Sequence, residues 1–519
     1  MKNTEIEGLL TAGFGSYPAM IRHWAEVRPG AVAMRDMGRE LTWAELADEV
    51  QRIAAQLQET GLDRGQSVAI LGTSTINYAL VFLAAVYAGG VAAPLTTSAS
   101  PAQLAAMAAD SGAQHIFIDR AKLDELGGAF MPELQQIVLD EELGGWMAPA
   151  GTEPVAYEPA PSDPFNIIYS SGTTGTPKGI VHNHAMRWFQ FAPTANATYN
   201  PQSQAITATP LYSNTTMVAF LPAILAGACV NIMGKFSTIG WLETAQRFGA
   251  THAMLVPVQY KRLMEEPRFD EYDLSSLFLK YCTSAPFSAE LKAQVLKRMP
   301  GGLIEIYGMT EGGVTCLLYA HEFPDKLHTV GRPAPGGHAL KVLDEDDTEL
   351  PPGEAGQMVG VSPAMMAGYK NRPDATRDAL WTDPADGSVW MRMGDIGRID
   401  ADGFVELVGR AKDVIISGGF NIYPIDLEAE LEKDSRVAEA AVVGMPSEKW
   451  GETPVGFVRL EGGVPQDEVS SVLVDTNAGL GKTQRLAKLH PLDEMPRSHI
   501  GKLLKTDLRE IAAKLGGID

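Results

Sequence analysis

Cysteine is scarce: Cys229, Cys282 and Cys316 are the three in a chain of 519 residues. They are odd in number, widely spaced and form no C-x-x-C pair. This excludes a disulfide framework and the common zinc spacings, and favours three buried apolar thiols in a reducing compartment. Basic residues are also short, 42 Lys and Arg against 64 Asp and Glu, for a formal charge of -22. Neither a nucleic acid nor an anionic membrane is expected as the main partner, so any phosphate has to be held by a local site. Long apolar runs are missing. The strongest, "ALVFLAAVYAGGVAAPL" from Ala79 to Leu95, is shorter than a bilayer span and is broken by Gly89, Gly90 and Pro94, so it reads as a buried helix and turn. "MKNTEIEGLL" carries no basic, apolar, small-residue signal, and the expectation is a cytoplasmic protein. Internal repeats and low-complexity tracts are absent too.

What is present is ordinary globular composition, 45% hydrophobic and 20% charged, with length for roughly two to four domains. Helical and strand patterns alternate. "TWAELADEVQRIAAQLQETG" has helical apolar spacing and is followed by the strand-like "SVAIL"; further β-rich runs stand in "FNIIYSS", "CVNIM", "HAMLVP" and "IEIYG". That alternation predicts α/β subdomains with substantial parallel sheet. From about Ala339 the texture turns to strands and turn clusters, a β subdomain, and after Asp413 helices return. Pro424 suits a first helical turn, and Asp426 and Glu428 suit its positive end. The expected division is a large domain over 1–410 and a small mobile α+β domain over 411–519, with the boundary at "GRAKD".

The stretch "YSSGTTGTPKG", Tyr169 to Gly179, packs two serines, three threonines, three glycines and a lysine into eleven residues after an apolar run. Glycines let backbone N–H groups close on phosphate oxygens, the hydroxyls of Ser170, Ser171, Thr173, Thr174 and Thr176 add donors, and Lys178 adds a cation. A strand before it and a helix after "KGIVHNH" would complete a phosphate-binding context. The spacing is not the Walker pattern, because Lys178 follows Thr176-Pro177 and precedes Gly179.

This loop resembles the phosphate loop of the adenylate-forming superfamily of acyl-CoA and aryl-CoA synthetases, luciferases and peptide-synthetase adenylation domains. "PLYSN" at Pro210, "YGMTEGG" at Tyr307, "VGRP" at Val330, "GDIGRID" at Gly394, "GRAKDVIISGGFNIYP" at Gly409 and "PRSHIGK" at Pro496 follow in the family's order, so the resemblance spans essentially the whole chain. It implies ATP, Mg²⁺ and a carboxylic acid as reactants. The carboxylate attacks the α-phosphorus, which gathers negative charge and therefore calls for cations and fixed donors.

The resemblance implies that Ser170, Ser171, Gly172, Thr173, Thr174, Gly175 and Lys178 hold the β- and γ-phosphates and that Thr310 hydrogen-bonds the α-phosphate. It places Mg²⁺ on Glu311, with Thr174 beside it. Tyr307 would lie against adenine near the backbone of Ser284, Ala285 and Pro286, with Glu305, Ile306 and Gly308 alongside. Asp395 and Arg410 would hold the ribose. Lys502 would bridge the attacking carboxylate and the α-phosphate as a fixed charge, presented by a tight turn at Gly501, while Lys505 reads as a solvated neighbour. Lys412 matches the hinge, and Gly418 and Gly419 a pantetheine tunnel, reached when the small domain turns.

The acceptor separates the alternatives. CoA is preferred, since no carrier domain is expected after Lys502 and "PLYSN" lacks the aspartate by which amino-acid-activating members hold an amino group. Loading of a separate carrier protein, a fatty-acid:CoA ligase and a catalytically silent adenylate-binding protein stand as alternatives. Intact Thr310, Glu311, Asp395 and Lys502 argue against the silent protein. The acid pocket is expected from Trp188, Tyr212, Ser213, Gly308 and Met309, with Phe189 and Phe191 adding apolar surface, which suits an aromatic or medium-sized hydrophobic acid. Many relatives carry histidine where this chain has Ser213, an exchange expected to enlarge or repolarise the pocket. "GLGKTQRLAKLHPLDEMPRS" also departs from the common pattern. A homodimer is expected by analogy.

Overall fold

The computed structural model describes residues 4–11, 13–128, 130–170, 177–417, 420–447, 450–481, 484–498 and 501–515. The chain divides into two compact units. The first is Met1–His328 with Pro333–Ala339 and Val361–Met391, and the second is Thr329–Arg332, Leu340–Gly360 and Arg392–Asp519.

Two sheets build the first unit. In one, Gly302–Met309, Leu279–Cys282, His252–Leu255, Gln204–Thr207, Cys229–Ile232 and Val32–Arg35 run parallel in that spatial order. Antiparallel strands Gly312–Tyr319 and Glu40–Thr42 extend the two ends of that run. The other sheet has seven strands in the order Gly368–Tyr369, Lys178–Asn183, Pro164–Ser170, Val91–Pro94, Ser67–Leu71, His115–Ile118, Gln135–Val138. Its last five are parallel neighbours and its first three antiparallel. The central parallel strands are buried at every residue, as a sheet covered on both faces requires.

The covering helices read clearly in sequence. Trp43–Glu59 starts on a Thr42–Glu45 capping box and buries Trp43, Leu46, Val50, Ile53 and Leu57 on one face. The apolar run at Ala79 lies in a helix buried at every residue but Asn77, Ile76–Tyr87, that turns through Gly89 into the strand Val91–Pro94. Among the described residues no helix is long and apolar enough to cross a membrane.

In the second unit, Asp395 to Ile399 pair antiparallel with Arg410 to Val405. A five-stranded sheet follows, Phe420–Ile422, Ile415–Ser417, Gly451–Leu460 and Val437–Ser447 in spatial order, with Lys488–Pro491 beside Gly451–Leu460. The helices expected after Asp413 therefore come second, behind two short strands. Alternation splits the sheet into two cores. Val442 and Val458 pack with Leu427, Leu431 and Val472, whereas Ala441, Val443 and Phe457 pack with Leu508 and Ala512. The helices Pro424–Leu431 and Val469–Gly479 thus cover one face and Lys505–Leu515 the other.

Candidate active site

Open α/β sheets bind ligands beyond the carboxyl ends of their parallel strands, and several of the expected site residues gather there. Gln204–Thr207 runs into the Pro210–Asn214 segment, Leu279–Cys282 into Thr283–Pro286, and Gly302–Met309 into Thr310 and Glu311. Hydrogen bonds tie the three ends together. Thr283 Oγ1 donates to the Ile306 carbonyl at 2.6 Å, and the Thr215 and Ser284 hydroxyls share a bond of 2.5 Å. Ser284 sits at φ 82°, uncommon for a residue with a side chain. Such strain persists where surrounding structure over-determines it.

Along the Gly302–Met309 strand, Tyr307 is buried and pairs with Cys316, while Gly308 is exposed. Met309 packs on Ile180, Met186, Met366 and Met391. Glu305 faces elsewhere: its carboxylate meets the Lys292 ammonium at 2.5 Å, both side chains almost wholly buried. Burial outweighs that cation and pushes the Glu305 carboxyl up to about 7. The side chain is thus committed to Lys292, which leaves only the backbone for the adenine contact expected of Glu305.

Thr310 and Glu311 form the tip of the hairpin that follows. Gly312 turns it at φ 95°, where a Cβ would fall 2.1 Å from the Ala364 carbonyl oxygen. The Met366 N–H donates to the Glu311 carbonyl at 2.8 Å. The Glu311 side chain is held by a residue sequence reading missed, since Tyr369 donates its hydroxyl to Oε1 at 2.8 Å. The Tyr369 ring in turn lies 5.0 Å from the Lys178 ammonium. Tyr369 reaches both because its two-residue strand pairs with Lys178–Asn183, Tyr369 against Ile180; a two-residue strand gives almost no periodic signal.

Ser170 pairs with Lys178 across the strands Pro164–Ser170 and Lys178–Asn183. The phosphate loop therefore closes a hairpin, and the next helix starts only at His184. The helix expected after "KGIVHNH" does follow that segment, and the segment itself, Lys178–Asn183, is the returning strand of the hairpin. Ser171, Gly172, Thr173, Thr174, Gly175 and Thr176 lie outside the described residues, as do Gly418 and Gly419.

For Mg²⁺ the residues fit. Glu311 is a half-buried oxygen donor held by Tyr369, whose ring faces the Lys178 ammonium, and no cluster of three or more His, Cys, Asp or Glu exists among the described residues to cage an ion. One carboxylate completed by phosphate oxygens and water is how Mg²⁺ is ordinarily bound.

The second unit gathers the charged candidates. Asp395, buried, pairs with Arg410 in register and accepts from its Nε at 2.6 Å, and Arg410 is 46% exposed. Asp413 is buried and takes Arg509 from the last helix at 2.7 Å. Burial lowers the Lys412 pKa, with Arg410 and Arg509 adding to it. Gly501 at φ 77° closes the expected turn: the Gly501 N–H donates to the Ser498 carbonyl, Ser498 N–H to the Lys502 carbonyl, and Lys502 N–H to Ser498 Oγ. Lys502 has an exposed surface yet is crowded by protein atoms. The crowding, with Arg410 and Lys412 nearby, holds its ammonium below the usual lysine range, and Asp395 and Asp413 oppose the shift. Lys505 is not the solvated neighbour expected; it is half-buried and donates to Glu428 Oε1 at 2.7 Å.

The acid-pocket residues fall into two places. Trp188 and Phe189 line a cavity of about 470 Å³ with Leu10, Pro335, His338 and Ala364. Phe191 packs into the core. Tyr212, Ser213, Gly308 and Met309 belong instead to the strand ends. Ser213 is the N-cap of the helix Asn214–Leu225, accepting from the Thr215 N–H at 3.3 Å. The exchange expected to reshape a pocket thus also starts a helix.

A family model for the AMP-binding enzymes matches residues 21–370, and one for the AMP-binding enzyme C-terminal domain matches 426–502. The feruloyl-CoA synthase of Amycolatopsis sp is 32% identical over 96% of this chain and 98% of its own. The fatty acid–[acyl-carrier-protein] ligase ScoC of Streptomyces coeruleorubidus is 31% identical over 94% of each. The o-succinylbenzoate CoA synthetase of Bacillus subtilis, solved with its acyl-adenylate intermediate, superposes with a TM-score of 0.81 at 27% identity, covering 94% of this chain and 97% of that one. The same enzyme in complex with ATP and a magnesium ion gives 0.80 at 26%, covering 94% and 98%.

Proposed function

This chain belongs to the AMP-binding enzyme family, and from that premise we propose how its residues divide the work of an AMP-forming carboxylic acid:CoA ligase. ATP and the acid react first: a carboxylate oxygen forms a bond to the α-phosphorus, the bond to the β-phosphate oxygen breaks, and pyrophosphate leaves. The CoA sulfur then bonds the acyl carbon, its proton passes to solvent, and AMP leaves with the former C–O bond electrons.

The carrying observation is the tied cluster of strand ends, with Ser284, Tyr307, Thr310 and Glu311 on one edge of the sheet. There Tyr307 and the Ser284–Pro286 backbone receive the adenine, and Thr310 donates to the α-phosphate. Glu311, oriented by Tyr369, supplies the carboxylate for Mg²⁺, whose chemistry is to neutralise phosphate charge. Lys178 and the hydroxyl loop bind the distal phosphates. Asp395 accepts from the ribose hydroxyls, with Arg410 beside it. Lys502 contributes a charge placed where negative charge develops, which needs no proton transfer. Turning of 411–519 about Lys412 would let the two half-reactions use one centre in sequence.

The acid is aromatic or apolar. Tyr212 and Met309 bring partly buried apolar side chains to the strand ends, and the relatives include a feruloyl-CoA synthase and an o-succinylbenzoate CoA synthetase. A second reading, loading of a separate carrier protein, is favoured by the 31% identity to an acyl-carrier-protein ligase. Mass spectrometry of a reaction holding ATP, Mg²⁺, CoA and pooled aryl, fatty and amino acids separates them. An aryl-CoA made by the protein and not by its Lys502→Ala variant is the expected result. Acyl-adenylate without thioester would move the acceptor to a carrier protein, and no ATP consumption with any acid would sink the ligase reading.

A further inference from the structure

Arg187 lies on the helix His184–Thr198 and is fully buried. An isolated buried cation is costly unless it is hydrogen-bonded on every side, and here all its side-chain partners among the described residues are neutral. Nε donates to Asn166 Oδ1 at 2.9 Å. One terminal nitrogen donates to Gln190 Oε1 and Asn214 Oδ1, both at 2.8 Å, and the other reaches His182 Nδ1 at 2.7 Å. Guanidinium has donors only, so His182 Nδ1 must accept. The ring proton then sits on Nε2, and that N–H donates to the Thr310 carbonyl at 2.8 Å. Burial, and secondarily the Arg187 charge, keep this imidazole neutral.

The chain of bonds has defined ends. Asn214 is the first residue of the helix capped by Ser213, beside the acid-binding segment, and Thr310 is the tip of the hairpin carrying Glu311. We infer that Arg187 and His182 are positioning residues for adenylation, a buried brace that fixes the Thr310–Glu311 turn at a set distance from the start of the acid-site helix. The inference rests on the adenylate-forming role of Thr310. Neither residue touches a reactant; they act through the carbonyl whose peptide they hold. Geometry matters steeply here, since a displacement of about 1 Å at a reacting group can cost on the order of 10²-fold in rate.

The test compares His182→Leu, which keeps bulk and loses both bonds, with His182→Gln, whose amide keeps one donor and one acceptor. Acyl-AMP formation is read by pyrophosphate exchange, and thioester formation is read separately from supplied acyl-AMP. The expected result is an adenylation rate lower by about 10- to 100-fold in the Leu variant, with KM for ATP changed less than kcat, thioester formation nearly intact, and substantial rescue in the Gln variant. Equal loss in both half-reactions, or a folded Leu variant that adenylates normally, overturns the inference. Should the variants fail to fold, histidine-selective ¹⁵N NMR of the unmodified protein decides. A neutral His182 protonated at Nε2 across pH 5–8 supports the brace, and a ring that titrates or carries its proton on Nδ1 overturns it. If the unmodified protein exchanges no pyrophosphate with any acid, the role of Thr310 falls, and the inference with it. Normal exchange with unaffected variants defeats the inference alone.

Discussion

In the first unit Lys292 meets Glu305 with side chains 2% and 7% exposed, and Arg187 is sealed among neutral partners, His182 included. In the second, Arg410 meets Asp395 and Arg509 meets Asp413 with guanidinium groups 46% and 33% exposed. Both regions contribute to one proposed reaction, yet their charges are held on different terms. A pair buried on both sides cannot exchange its partner for water without a large penalty, whereas a pair whose cation keeps access to water can be broken and re-formed more cheaply. The first unit is built to hold a geometry. On the proposed function, the second keeps charges that change partners as a ligand arrives.

The sharpest way to break this contrast is to remove one half of the buried pair. Lys292→Met leaves the Glu305 carboxyl without its cation and the Leu327 carbonyl without the donor that reaches it at 2.6 Å. Losing one partner of a buried pair costs about 3–5 kcal/mol, so a large fall in the denaturation midpoint is expected, with partial recovery in Lys292→Met/Glu305→Leu. The pH dependence carries a sign. Because the folded Glu305 carboxyl is raised from 4.5 to about 7, the folded chain keeps a proton in that window that the unfolded chain releases. Stability contributed by this group is complete below about pH 4.5 and is lost as pH rises to about 7. Glu305→Gln should flatten that slope, measured by denaturant midpoints across pH 4 to 8; an unchanged slope would mean the pair stays ionised throughout.

Next in size is Lys502→Ala. Deleting one preorganised group that stabilises developing charge costs about 10²–10³-fold, and the loss should fall on acyl-AMP formation, with thioester formation from supplied acyl-AMP much less affected. Equal loss of both would refute the assigned role. Since crowding and nearby cations lower the Lys502 pKa from 10.5, the alkaline limb of the adenylation profile should begin below that of an ordinary lysine.

The difference between the units also marks what the sequence could disclose. Short motifs such as "YGMTEGG" and "GDIGRID" were read through their resemblance to the adenylate-forming enzymes and not from spacing, since alone Tyr307 reads as a core aromatic and Asp395 as a turn acid. The α/β alternation was legible from periodicity. Tyr369 was not, because its role is created by pairing against Ile180, far away in the chain. The helix after "KGIVHNH" was read at its place, but the strand Lys178–Asn183 before it was not, because its antiparallel partner is settled by pairing and not by local pattern. Arg187 and His182 were invisible for a related reason: within a helix start and a strand end they read as ordinary polar residues, and only the fold brings them to Asn214 and Thr310.

The smallest expected effect tests the other side of the contrast. Arg509 reaches Asp413 from the last helix, and Asp413 adjoins Lys412, about which the small domain is proposed to turn. Arg509→Gln removes the charge and leaves a shorter amide donor. With the cation partly in water and Asp413 buried, the cost should stay below the loss of about 3–5 kcal/mol expected at Lys292. Kinetics should respond more than stability. If Asp413 and Arg509 separate and re-form as the domain turns, the variant should change the ratio of the adenylation rate to the thioester rate several-fold at nearly constant Tm, measured with the two half-reactions in parallel. A large stability loss with an unchanged ratio would make this contact a structural pin like Lys292–Glu305, and the distinction between a fixed unit and an exchangeable one would then fail at the residue beside the hinge.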